Sequence, residues 1–236
     1  MICLQKRALF KRTSSAGIFS ENSRRVRSIF ARGIILAVTI FILSACAVFP
    51  SREPLTVYVL RPSALETQIP RCECTMQVHR PKAGGVLNSA KIVVMPEPQQ
   101  LSVYKGVRWD EVLPSVVQDY LVDSFRSSAV FSAVIDSETR VGTDYYLDST
   151  MRSFQSSYVR AAENGGNPVI EVEFAVQLIE AKTSTVIAQH NFIVLQPSTG
   201  TEVDTVVRAF NGAAANLSLQ VLEWTATSIT QRKLKE

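Results

Sequence analysis

Residues Gly33 to Leu43 read Gly-Ile-Ile-Leu-Ala-Val-Thr-Ile-Phe-Ile-Leu, eleven positions without a charge, and Arg24, Arg25, Arg27 and Arg32 precede them. A helix of that length rises only about 17 Å, against roughly 30 Å of hydrocarbon in a bilayer, so the run is too short for a permanent span. An apolar stretch of this size behind a basic approach is the middle of a secretory signal, a segment that is removed and takes no part in the fold. Residues 1–45 are therefore expected to be leader, and the folding unit must be sought after them.

The run ends in Leu43-Ser44-Ala45-Cys46. This resembles the bacterial lipobox: a branched apolar residue, two small ones, then the cysteine that is acylated and becomes the new N-terminus. The expected modification is a diacylglycerol and a further acyl chain on Cys46, with no other cofactor. One chain holds a protein on a bilayer only marginally, whereas two anchor it stably without spanning. Residues 46–54 carry Pro50 and Pro54 and no periodicity, and read as a lipidated tether. The domain is expected over residues 55–236.

Splitting the formal charge of +4 at Cys46 changes its meaning. Residues 1–45 hold eight Lys or Arg against Glu21 alone, giving +7, and residues 46–236 hold seventeen against twenty acids, giving −3. A slightly acidic domain without a Lys/Arg cluster lacks the footprint that phosphate backbones require, so nucleic acid is excluded as a partner.

The domain punctuates itself. Thr56 to Leu60, Thr75 to His79 and Lys91 to Met95 are short apolar or β-branched runs bounded by prolines, which predicts three strands before the first helix. From Trp109 to Ser127, apolar residues recur at Leu113, Val116, Val117, Tyr120, Leu121 and Phe125, a helical stripe with Asp110 placed to cap it and Pro114 in its first turn. Phe131 to Ile135, Asp144 to Tyr158, Ile170 to Leu178 and Val186 to Leu195 follow as strands. The turn Asn164-Gly165-Gly166-Asn167 joins the middle two. Glu202 to Ser228 forms a second long amphipathic helix, with Thr201 and Asp204 set as a capping box. The order β-β-β-α-β-β-β-β-α predicts a single α+β domain, a mostly antiparallel or mixed sheet packed against two long amphipathic helices.

Residues that carry chemistry are few. Cys72 and Cys74, two apart, would close a very small ring if bonded, so two free or mixed thiols are expected. His79 and His190 lie in predicted strands without a nucleophile or base motif, and two thiols with His79 fall short of a zinc ligand set. Glu171 and Glu173 share one face of a strand and read as a solvated polar side rather than a glycosidase pair. No metal site and no catalytic residue is expected.

Three stretches carry a likeness: Lys91-Ile92-Val93-Val94-Met95-Pro96, then Leu101-Ser102-Val103-Tyr104, then Val107-Arg108-Trp109-Asp110-Glu111-Val112-Leu113-Pro114. Their order and spacing are similar to the central pattern of the ABC-type transport auxiliary lipoproteins: a strand ending in proline, a Tyr-containing linker, and an Arg-Trp pair opening a helix. Tyr58-Val59-Leu60, Phe131-Ser132-Ala133-Val134 and Thr143-Asp144-Tyr145-Tyr146-Leu147 also match family positions. The likeness runs from Leu55 to the C-terminus, and departs from the family where Thr183-Ser184-Thr185 stands in place of a Thr-Gly-like turn.

The resemblance implies a non-catalytic subunit beside an ABC permease and a mammalian-cell-entry-type (MCE-type) substrate-binding protein, moving phospholipid or other hydrophobic molecules across the envelope. It also implies the outer-membrane side, with the domain facing the periplasm, since Ala47 is not the aspartate that retains lipoproteins at the inner membrane. A lipid ligand and a homo-oligomer stay open, and so does the alternative of an envelope-structural or outer-membrane assembly lipoprotein. Tyr104, Arg108 and Trp109 are the candidate partner interface, because an Arg with two aromatics suits a hot spot. The competing role for them is to staple the helix to the sheet.

Overall fold

The structure is a computed structural model and describes Gly33, residues 55–62 and residues 67–234. Apart from Gly33, the leader lies outside the described residues, and so do the tether and Cys46.

Eight strands form one mixed sheet. In chain order they are β1 (Thr56–Tyr58), β2 (Cys72–Val78), β3 (Lys91–Glu97), β4 (Gln100–Trp109), β5 (Phe131–Asp136), β6 (Tyr145–Ser157), β7 (Val169–Glu180) and β8 (Thr185–Pro197). Helix α1 (Leu113–Ser128) follows β4, and α2 (Val203–Lys233) follows β8. The single α+β domain with two long helices is the architecture the periodicities predict.

β6 is the axis. One of its edges pairs with antiparallel β7 from Tyr145↔Glu180 to Ser157↔Val169. Its other edge is shared between two parallel strands. β2 takes the beginning, from Met76↔Tyr145 to Val78↔Leu147, and β3 takes the end, at Val94↔Ser156 and Met95↔Ser157, with a single Lys82↔Thr150 bridge between them. β8 extends the sheet beyond β7, β5 lies beyond β2, and β4 then β1 lie beyond β3.

The alternation in β7 decides which side is core. Ile170, Val172, Phe174, Val176 and Leu178 are all buried, while Glu171, Glu173, Ala175 and Gln177 turn outward. The stripe of α2 (Val206, Phe210, Ala213, Leu217, Val221) is buried in the same core. Trp109, Phe154 and Phe210 meet at its centre, with Phe154 and Phe210 stacked at 5.2 Å and Trp109 edge-on to Phe210 at 5.5 Å.

Four expectations need correction. Residues 100–109 are a strand, not a linker, so four strands precede α1: Gln99 takes a left-handed conformation (φ 65°) that folds β4 back onto β3. Val112, and not Asp110, caps α1, and the Asp110 amide donates instead to the Tyr58 carbonyl. The Thr201/Asp204 capping box does not form. Glu202 is the cap residue of α2, and the Asp204 carboxylate accepts the Tyr58 hydroxyl. Cys72 and Cys74 are joined by a disulfide, with Cα atoms 5.4 Å apart. A break in register between Cys72 and Thr75 takes this segment out of regular pleating, and there the small ring that argued for free thiols is closed.

Candidate interaction surface

Because side chains alternate across a strand, neighbouring residues of β4 go to opposite sides. Trp109 points inward and is fully buried. It staples β4 to β6 and α2 and offers no surface to a partner. Tyr104 is half-buried, with its hydroxyl 2.9 Å from Ser156 Oγ on β6, and burial pushes its pKa up to about 12. It too spends its polar atom inside the domain. Of the three residues singled out together in the sequence, Arg108 alone belongs to the outward side. Its Nη1 donates to the carbonyls of Trp109 and Asp110, both at 2.9 Å, which fixes the guanidinium at the end of β4.

Arg108 is the middle member of a row that crosses three strands. It is directly paired with Val57 of β1 on one side and with Lys91 of β3 on the other. Directly paired residues share a face of the sheet. On β1, Tyr58 reaches Asp204 of α2, so Val57 turns the other way and is 45% exposed, with Leu55 and Val59 beside the strand 54% and 46% exposed. An apolar stripe thus borders two cations. The acids nearby are segregated from it: Asp110, Glu111, Asp119 and Asp123 line a separate cleft of about 110 Å³ with Leu60, Pro62 and Tyr120. Within it burial raises the Asp119 pKa, and the charges of Glu111 and Asp123 add to the rise.

The other residues picked out in the sequence are accounted for locally. His79 Nδ1 contacts the Asp148 carboxylate and its ring lies 5.1 Å from that of Tyr146. His190 lies 4.6 Å from Phe192 and 6.2 Å from Trp224, ring to ring. Glu171 and Glu173 face Arg160 at 3.9 Å and Arg152 at 3.4 Å. Among the described residues no group of three or more His, Cys, Asp or Glu is arranged to hold a metal. A depression of about 560 Å³ is an open trough on β6, β7 and β8, lined by Arg152, Gln177, Gln189, His190 and Asn191, and is polar rather than shaped for an acyl chain.

Sequence reasoning found Arg108 and missed Leu55, Val57, Val59 and Lys91. The alternation of Leu55, Val57 and Val59 is visible in the chain, but Tyr58 and Leu60 interleave with it, so both sides read as apolar. Only the parallel pairing of β1 with β4 decides which side is outward.

The model of the ABC-type transport auxiliary lipoprotein component family matches residues 58–222, from within β1 to within α2. Among solved structures, protein XCC0632 from Xanthomonas campestris, assigned to the DUF330 family model, is 26% identical with a TM-score of 0.70, covering 76% of this chain and 99% of its own. A further crystal structure, of an uncharacterized protein, shares the fold at 17% identity and a TM-score of 0.55, covering 72% and 98%. No curated protein matches the chain.

Proposed function

The chain belongs to the family of ABC-type transport auxiliary lipoprotein components, and from that premise we propose that it is the lipid-anchored, non-catalytic auxiliary subunit of a system moving phospholipid or other hydrophobic molecules through the envelope. Cys46 carries the acyl chains. The domain faces the periplasm from the outer membrane and works with an MCE-type substrate-binding protein and its ABC permease. The observation that carries this reading is the family match over residues 58–222, joined to Leu43-Ser44-Ala45-Cys46 upstream. The interior supports bridging over carrying: Trp109, Phe125, Phe154, Phe174 and Phe210 fill the space between sheet and helices where a bound acyl chain would have to lie.

The test is intact mass and membrane fractionation of the native protein beside a Cys46→Ala variant, followed by crosslinked pull-down from the membrane fraction. The expected result is loss of residues 1–45, added acyl mass, outer-membrane fractionation and an MCE-type partner, with mass and location both altered in Cys46→Ala. Unchanged mass and location in the variant would overturn the anchor. Capture of outer-membrane barrels or peptidoglycan in place of an MCE-type protein would overturn the transport role.

A further inference from the structure

We propose that the outward side of β1, with Lys91 and Arg108 beside it, rests on the surface of the bilayer that holds the lipid anchor, taking anionic phospholipid headgroups. The proposal rests on the anchoring at Cys46. It concerns a second, non-covalent contact that fixes how the domain lies on the membrane.

Three observations carry it. Val57 on the edge strand β1 and Leu55 and Val59, which flank that strand, are each about half exposed, and apolar side chains grouped in this way mark an interaction surface. The pairs Val57↔Arg108 and Arg108↔Lys91 put two cations next to that stripe, while the neighbouring carboxylates of Asp110, Glu111, Asp119 and Asp123 line the cleft against α1. Apolar residues bordered by Lys and Arg suit the boundary between acyl chains and phosphates, each basic residue drawing the protein toward an anionic surface.

The third observation is covalent. Eight residues lie between Cys46 and Leu55, a span of at most about 32 Å when fully extended, so β1 cannot stray far from the anchored cysteine. A stripe held that close meets lipid at high effective concentration, and contacts too weak to bind vesicles alone become sufficient once tethered. Among the described residues no helix is long and apolar enough to cross a membrane, so this is surface contact and not insertion.

The experiment uses the lipid-anchored protein purified from membranes and reconstituted in vesicles of phosphatidylethanolamine and phosphatidylglycerol. An environment-sensitive fluorophore is placed at Val57→Cys or, as control, at Glu223→Cys on the exposed side of α2. The expected result is a blue-shifted probe at 57 quenched severalfold by a lipid-borne quencher, with the probe at 223 in water. The shift at 57 should shrink in Lys91→Gln, and when phosphatidylcholine replaces the phosphatidylglycerol. Arg108→Gln should add to the loss, but Lys91→Gln decides if that variant folds poorly, since the Lys91 side chain is exposed.

Flotation with the vesicles while both probes stay in water overturns the proposal and leaves the anchor intact. A probe at 57 already shielded before vesicles are added also overturns it, and assigns the stripe to a protein partner or a second copy. Failure to float removes the anchor and this inference together.

Discussion

β7 meets β6 in an almost unbroken ladder from Tyr145↔Glu180 to Ser157↔Val169, and β8 continues it from Val169↔Pro197 to Glu180↔Thr185. At the other end of the sheet β1 meets β4 only from Thr56↔Val107 to Tyr58↔Trp109, and the β3–β4 register slips twice. The first region keeps one face of β7 buried, and its outward face carries the ion pairs of Glu171 and Glu173 on β7 beside the exposed Ile193 and Leu195 of β8. The second holds its register through single side chains, Tyr58 on Asp204, Tyr104 on Ser156, Trp109 on Phe210, and it too turns apolar residues to solvent. Long regular ladders specify a scaffold, and short bulged edges leave side chains free to be aimed at something else.

The sharpest way to break this contrast is Phe210→Ala. Phe210 touches Trp109 and Phe154 and so joins the two regions through α2. Removing a fully buried phenylalanine costs about 3–5 kcal/mol, and urea unfolding should show the loss as one transition shared by both regions. Two separate transitions would mean that the regions do not fold as a unit.

A smaller change separates them. Tyr58→Phe deletes the hydroxyl that holds β1 to Asp204, and should cost about 1 kcal/mol while speeding amide exchange in β1 more than that of Phe174. The Tyr58 pKa is raised by its hydrogen bond to Asp204, then by burial and by the Asp204 charge. The protonated phenol is therefore the stabilising form. Its contribution is complete below the ordinary tyrosine value of about 10 and is lost as pH rises through the higher folded value, so Tyr58→Phe should flatten this part of the alkaline decline in stability. An alkaline limb identical to the wild type would show that β1 is held by its backbone alone.

The smallest effect belongs to the regular region. Arg152→Ala removes an exposed partner of Glu173 at 3.4 Å and should change stability by less than about 1 kcal/mol. A larger loss in thermal unfolding would make the outward face of β6 and β7 part of the scaffold's energetics.

The same contrast governs what the chain reveals before folding. β7 and α2 are legible because each repeats one period long enough to outvote local noise: Ile170 to Leu178 alternate cleanly, and Val206 to Val221 keep helical spacing. β4 is hidden because Gly106, at φ 71°, and the slips in register interrupt its alternation. Arg108 and Trp109 are adjacent and therefore looked like one patch, yet strand geometry sends one outward and the other into the core. Asp204 sits where a capping box would place it, but its partner is Tyr58, 146 residues away, a contact no local rule anticipates. The alignment of Val57 with Arg108 and Lys91 is invisible for the same reason, since each pairing spans a turn or an element that local periodicity does not order.

The divided edge of β6 dictates the order in which the sheet can be completed. β2 has two neighbours, β5 and β6, and both are encoded after it. β3 finds β4 at once but waits for Ser156 and Ser157 before its other side is covered. While the chain emerges, Cys72–Val78 therefore stays unpaired and sticky until more than half of the protein has been made, whereas β6, β7 and β8 can zip up as successive hairpins as soon as they appear. A polypeptide with this layout, threaded through a membrane from its N-terminal end, delivers β2 before either strand that flanks it, and β6 is the rail on which β2 and β3 are finally brought into one sheet.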